Sequence, residues 1–146
     1  ERNKSKTMKN SSDFKTDLEF GEFAEQVFGE NFGNGSFEFK RDRMMHRTGR
    51  VYIEYKSRGE RSGIAMDEVK PVWMYLTDDL GFGLVMDAAR LREALKVFYH
   101  ECQQGLHEPP ATFEKEGGDE DSSVGALIPV QDLARIMLSL SKPTNA

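Results

Sequence analysis

The chain has 146 residues, 38% of them apolar, and a formal net charge of −5. That length suits one domain with a core of its own, and the apolar content excludes a disordered chain. No apolar run approaches the roughly 18 residues of a membrane span, and a lone cysteine, Cys102, excludes an intrachain disulfide and suits a reducing compartment.

Residues 1–12 are polar and aperiodic, which predicts a disordered tail, and residues 13–146 read as the single folded domain. The given sequence opens with no signal-peptide pattern. From Asp17 onward, Phe20, Phe23, Ala24, Val27 and Phe28 form one apolar stripe and predict a helix. "GENFGNGS" then breaks it. Two charged runs follow. In "FEFKRD", Phe37 and Phe39 alternate with Glu38, Lys40 and Asp42. In "VYIEYK", Val51, Ile53 and Tyr55 alternate with Tyr52, Glu54 and Lys56. Alternation predicts two strands, paired antiparallel through the basic connector "RMMHRTGR".

After the flexible loop "SRGERSG", Asp67 is expected to cap a short helix across "DEVKPVW". "WMYLT" and "GFGLVM" read as short strands around "DDLG". Asp87 opens a helix to about Gln104, with Leu91, Leu95, Phe98 and Cys102 on its apolar face and Gly105 just past its end. Residues 106–123 read as a mobile acidic loop, "GALIPV" as a closing strand, and "VQDLARIMLSL" as a final helix. The order predicts an α/β domain, a central mixed sheet flanked by helices.

Charge is unevenly spread. Ser36 to Arg61 holds eight Lys/Arg and four acids, netting +4 inside an acidic protein. A local basic patch of this kind suits phosphate; the plainer alternative is a solvated hairpin. The three histidines and Cys102 lack zinc-ligand spacing, and the serines lack partners for nucleophilic catalysis. Trp73 and Tyr75 read as core. His46 reads as a turn residue.

Acids on neighbouring strands can share one divalent cation, because such strands lie about 4.8 Å apart. Asp42 and Glu54 are the candidates, with the Tyr55 carbonyl between Glu54 and Lys56 as a third oxygen ligand. Taken alone, Glu54 and Lys56 also fit an ordinary ion pair on a solvated face.

Asp42 followed after eleven residues by Glu54-Tyr55-Lys56 resembles the PD-(D/E)XK nuclease superfamily. "GEFAE", Gly21 to Glu25, resembles the Gly-x-x-x-Glu of its Holliday-junction-resolvase branch, and the block from Glu38 to Ala65 resembles small nuclease-like proteins carried by phages. The resemblance implies a restriction-endonuclease-like core and a Mg²⁺- or Mn²⁺-dependent nuclease acting on DNA, with branched DNA as first substrate. It implies Asp42 and Glu54 as metal ligands, Lys56 orienting the water, and Glu25, with Glu22 as second choice, completing the metal shell. It further implies a homodimer, no membrane partner, and action in the cytoplasm of a phage host. Arg43, Arg47, Arg50, Arg58 and Arg61 would contact the phosphate backbone. Two departures stand out. Arg41 replaces the Pro that commonly precedes the Asp, and Glu38-Phe39-Lys40 forms a second Glu-x-Lys. Lys40 therefore rivals Lys56. The alternative class is a non-catalytic module that binds nucleic acid or protein on the same fold.

Overall fold

The two charged runs belong to different sheets. A computed structural model describes residues 19, 21–22, 37–117 and 122–140. Glu19, Gly21 and Glu22 are helical. The expected tail over 1–12 and most of the first helix, Glu25 included, lie outside the described residues.

β1 (Phe37–Arg41) runs parallel to β4 (Val72–Leu76), from Phe37 opposite Val72 to Arg41 opposite Leu76. β5 (Gly83–Asp87) returns antiparallel on the far side of β4. The second sheet has the order β3-β2-β7-β6 and is antiparallel throughout, with β2 at Arg50–Ser57, β3 at Glu60–Arg61, β6 at Thr112–Glu116 and β7 at Ser123–Pro129. The expected antiparallel pairing of β1 with β2 does not form, and one central sheet is replaced by a mixed and an antiparallel one. The connector is the cause. Instead of a tight hairpin it makes a short helix, α1 (Met45–Thr48), closed by Gly49 at φ +67°, and this carries the chain from one sheet to the other. The coarse α/β class holds.

Asp87 caps α2 (Ala88–Gln103) as expected, its carboxylate accepting from the Arg90 N–H at 2.8 Å. Leu91, Ala94, Leu95 and Phe98 face inward. α3 (Val130–Leu140) buries Leu133 and Ile136. Both helices pack on the face of β2 and β7 that carries Val51, Ile53, Ala126 and Ile128. Each large side chain buried there contributes roughly 1.5–3 kcal/mol. Among the described residues no helix is long and apolar enough to cross a membrane.

Two local expectations fail. The helix from Asp67 is absent: the chain makes a single 3₁₀ turn earlier, at Gly63–Ala65, and reaches Pro71 without further regular structure. The expected loop over 106–123 contains β6, because Phe113 stacks on Tyr55 at 4.7 Å and holds the segment against β7.

Candidate functional site

An open cleft of about 950 Å³ lies between the two sheets. β1 contributes Glu38 and Lys40, β2 contributes Tyr52 and Glu54, and β4 contributes Trp73 and Tyr75. Strand alternation explains the first pair: Phe37 and Phe39 turn the other way and pack with Met74 and Leu76.

Tyr75 is buried at this cleft. Its phenol pKa is pushed up, first by burial and then by the charges of Asp42, Glu54 and Glu38. Carboxylates from β1, from the end of β1 and from β2 thus line the same cleft as this hydroxyl and act on it through their charge. Lys40 stands beside them, its ammonium 3.1 Å from a Glu38 oxygen and 5.2 Å above the Trp73 ring. Lys70 approaches the other Glu38 oxygen at 4.0 Å.

Asp42 is the most committed acid. Oδ1 accepts from the backbone N–H groups of Met44 and Met45, and Oδ2 from that of Tyr52, each at 2.9 Å. Its own N–H donates to the Leu76 carbonyl at 2.9 Å. At 9% exposure, Asp42 links the start of α1 and β2 through its carboxylate and β4 through its backbone N–H. It has less to offer a cation than Glu54, whose side chain holds one hydrogen bond from Ser62 Oγ at 3.0 Å.

Lys56 is not brought to the site. A β-bulge falls between Glu54 and Lys56: Glu54 lies opposite Gly125 and Lys56 opposite Val124. Cross-strand partners share a face, and Gly125 and Val124 point opposite ways. Glu54 thus faces the cleft with Tyr52, and Lys56 turns to the other side. The extra residue, Tyr55, packs on the core, with its hydroxyl donating to the Phe113 carbonyl at 2.9 Å. Its own carbonyl accepts from the Ser62 N–H at 3.0 Å.

Of the arginines, exposed Arg43 and half-buried Arg50 line the cleft. Arg47 is exposed on α1. Arg58 and Arg61 sit on the β2–β3 hairpin, away from the cleft lining, and Arg61 pairs with Asp67 at 3.2 Å. Glu22 is exposed at the cleft margin. Glu25 lies outside the described residues.

The chain matches no family model, no curated protein and no solved structure. The site stands on its own geometry. Sequence reasoning did not place Glu38 among the ligands or foresee Lys70 and Tyr75. Glu38 carried a usable signal, since it shares a strand face with Lys40.

Metal fit follows from the donor set. Among the described residues no three His, Cys, Asp or Glu side chains form a group able to hold an ion between them. Two cleft carboxylates, Glu38 and Glu54, suit a hard cation that keeps most of its waters, as Mg²⁺ does, and not an all-protein cage.

Proposed function

We propose that the cleft is a nuclease site that hydrolyses phosphodiester bonds of DNA with Mg²⁺ or Mn²⁺, the activity the PD-(D/E)XK resemblance implies, with Glu54 keeping its motif role and Glu38 and Lys40 standing in for Asp42 and Lys56. The supporting observation is that Glu38, Asp42, Glu54 and the buried Tyr75 line one cleft, with Lys40 paired to Glu38 at 3.1 Å and Arg43 and Arg50 on the same lining. In this reading Glu38 and Glu54 hold the cation. When bound, it acidifies a coordinated water and shields charge developing on phosphate oxygens. Lys40 donates to the phosphate as negative charge accumulates on it. Arg43 and Arg50 hold the flanking backbone, and Asp42 keeps the walls in register. Hydrolysis joins the water oxygen to phosphorus, breaks the bridging P–O bond, and leaves the water's proton on the departing oxygen.

A second reading, a nucleic-acid-binding module without catalysis, draws on the pairing of Glu38 with Lys40 and Lys70 and on the structural commitment of Asp42. The two readings part in one experiment. Labelled single-stranded, duplex, flapped and four-way-junction DNA is incubated with Mg²⁺, Mn²⁺ or EDTA, using wild type, Glu38→Gln and Glu54→Gln. The nuclease reading expects metal-dependent cutting that both variants lose while keeping DNA binding. No cutting of any substrate by wild type, with binding intact, leaves the module.

A further inference from the structure

Helix α2 reaches the cleft through a chain of contacts that ends on Glu54. Arg92, half-buried on α2, donates from Nε to the Ile64 carbonyl at 2.7 Å and from Nη2 to the Met66 carbonyl. Those carbonyls belong to the 3₁₀ turn and its exit. The turn is closed by the Ala65 N–H on the Ser62 carbonyl at 3.0 Å and the Met66 N–H on the Gly63 carbonyl at 3.2 Å. Ser62 is the residue it presents to β2. The Ser62 N–H donates to the Tyr55 carbonyl and its hydroxyl to Glu54 Oε2, each at 3.0 Å.

Gly63 sets how closely the turn sits. Its φ is +54°, and a Cβ there would lie 2.5 Å from the Glu54 carbonyl oxygen. Only glycine lets the turn press flat on the strand at this point. The Glu54 side chain is therefore held by a neighbour whose own place is fixed by an arginine from another element.

We propose that Ser62 and Arg92 are positioning residues for Glu54: Arg92 anchors the Gly63–Met66 turn, and the turn aims the Ser62 hydroxyl so that Glu54 keeps one orientation toward a bound divalent cation. The inference rests on the nuclease-site reading of the cleft. Partners that orient a metal-binding carboxylate typically change metal affinity or activity by about 10–100-fold when removed.

The test is Mn²⁺ titration of the whole chain, followed by calorimetry, for wild type, Ser62→Ala, Ser62→Thr, Arg92→Ala, the Ser62→Ala/Arg92→Ala double variant and Glu54→Gln. Amide hydrogen exchange is read alongside. Ser62→Ala and Arg92→Ala should each weaken Mn²⁺ by about tenfold. Ser62→Thr, which keeps the hydroxyl, should restore most of the loss. The double variant should be no weaker than Ser62→Ala, because both act through one hydroxyl. Arg92→Ala should also speed exchange at the Ala65 and Met66 amides by about tenfold. Wild-type Mn²⁺ affinity in Ser62→Ala, or additive losses in the double variant, overturns the inference while the nuclease reading stands on Glu54→Gln. Unchanged Mn²⁺ binding in Glu54→Gln removes both. Each variant's thermal midpoint separates a failed fold from a failed site.

Discussion

Glu54 and Lys56 point to opposite faces of β2 although one residue separates them, because Tyr55 is an extra residue with no counterpart on β7. Lys40, Lys70 and Lys115 line the cleft with Glu54, and of these Lys40 is carried by a strand of the other sheet. If the cleft cuts DNA, Lys40→Ala should lower the cleavage rate by about 100-fold or more, the usual effect of removing one donor to developing charge. Lys56→Ala should stay within about twofold, as expected of an exposed side chain away from the reaction. Single-turnover cleavage of the best substrate checks both. Equal losses in the two variants would return the catalytic role to Lys56.

Asp42→Asn should unsettle the fold. The amide can accept from Met44 and Met45, but then turns an N–H₂ toward the Tyr52 N–H, placing donor against donor. A loss of roughly 1–3 kcal/mol is expected for an unsatisfied buried group, with Asp42→Ala at the upper end or beyond. Urea denaturation at neutral pH measures it. A loss in activity with no loss in stability would assign Asp42 to chemistry instead.

Gly125→Ala should destabilise the second sheet although the residue lies within a strand. Its Cβ would lie 2.6 Å from the Ile53 carbonyl oxygen and 2.8 Å from the Tyr52 ring. Tyr52 crosses β7 at this point to reach Ser123 Oγ at 2.6 Å. Overpacking of this kind typically costs about 1–3 kcal/mol, to be read in thermal unfolding.

A cluster at the end of α2 should add a pH-dependent part to stability. Arg135 and His107 both bond Glu101, with Arg135 Nη2 at 2.7 Å and His107 Nε2 at 2.9 Å, and this ties α3 and the segment after α2 to the end of α2. The Glu101 carboxyl is held below its usual range, chiefly by Arg135. Its pKa is lowered on folding, so its contribution is full above the unfolded value of 4.5 and fades as pH falls through the folded value. Glu101→Gln should therefore melt below wild type at pH 7, and the gap should narrow on acidification below about pH 4. A gap that is constant between pH 7 and 3 would show a packing role in its place.

DNA binding should weaken with salt, and the slope should discriminate among the arginines. Arg43→Ala should reduce it by about one ion, as loss of a phosphate contact does. Arg61→Ala should leave it unchanged, since Arg61 pairs with Asp67 and lies off the cleft lining. Fluorescence anisotropy across a salt series gives both slopes.

The two long helices, α2 and α3, and most strands were legible because their signals are local. Asp87 with Leu91, Leu95 and Phe98 specifies α2 by capping and periodicity. Face alternation correctly sent Glu38 and Lys40 to one side of β1. Strand pairing was not legible, since β1 meets β4, more than thirty residues later, and no local pattern encodes that choice. The bulge was equally hidden. Nothing in "IEYKS" marks Tyr55 as the extra residue; it is made so by Gly125 and Val124 on the partner strand and by Phe113 beneath its ring. Reading Glu-x-Lys on uninterrupted alternation therefore put Lys56 on the wrong side.

Among the described residues the two sheets share no strand. Glu38 and Lys40 travel with one, Glu54 with the other, and Asp42 is riveted to both through Leu76 and Tyr52. The site thus has two jaws and a pin. What holds the jaws together is a single core: Trp73, Tyr75 and Met86 from the first sheet are buried in one cluster with Val51, Ile53, Ala126 and Ile128 from the second. The spacing of Glu38 and Glu54 is accordingly set by side-chain packing and by Asp42, and by no ladder bond, so a cavity cut into that core would reach the acids without touching either of them.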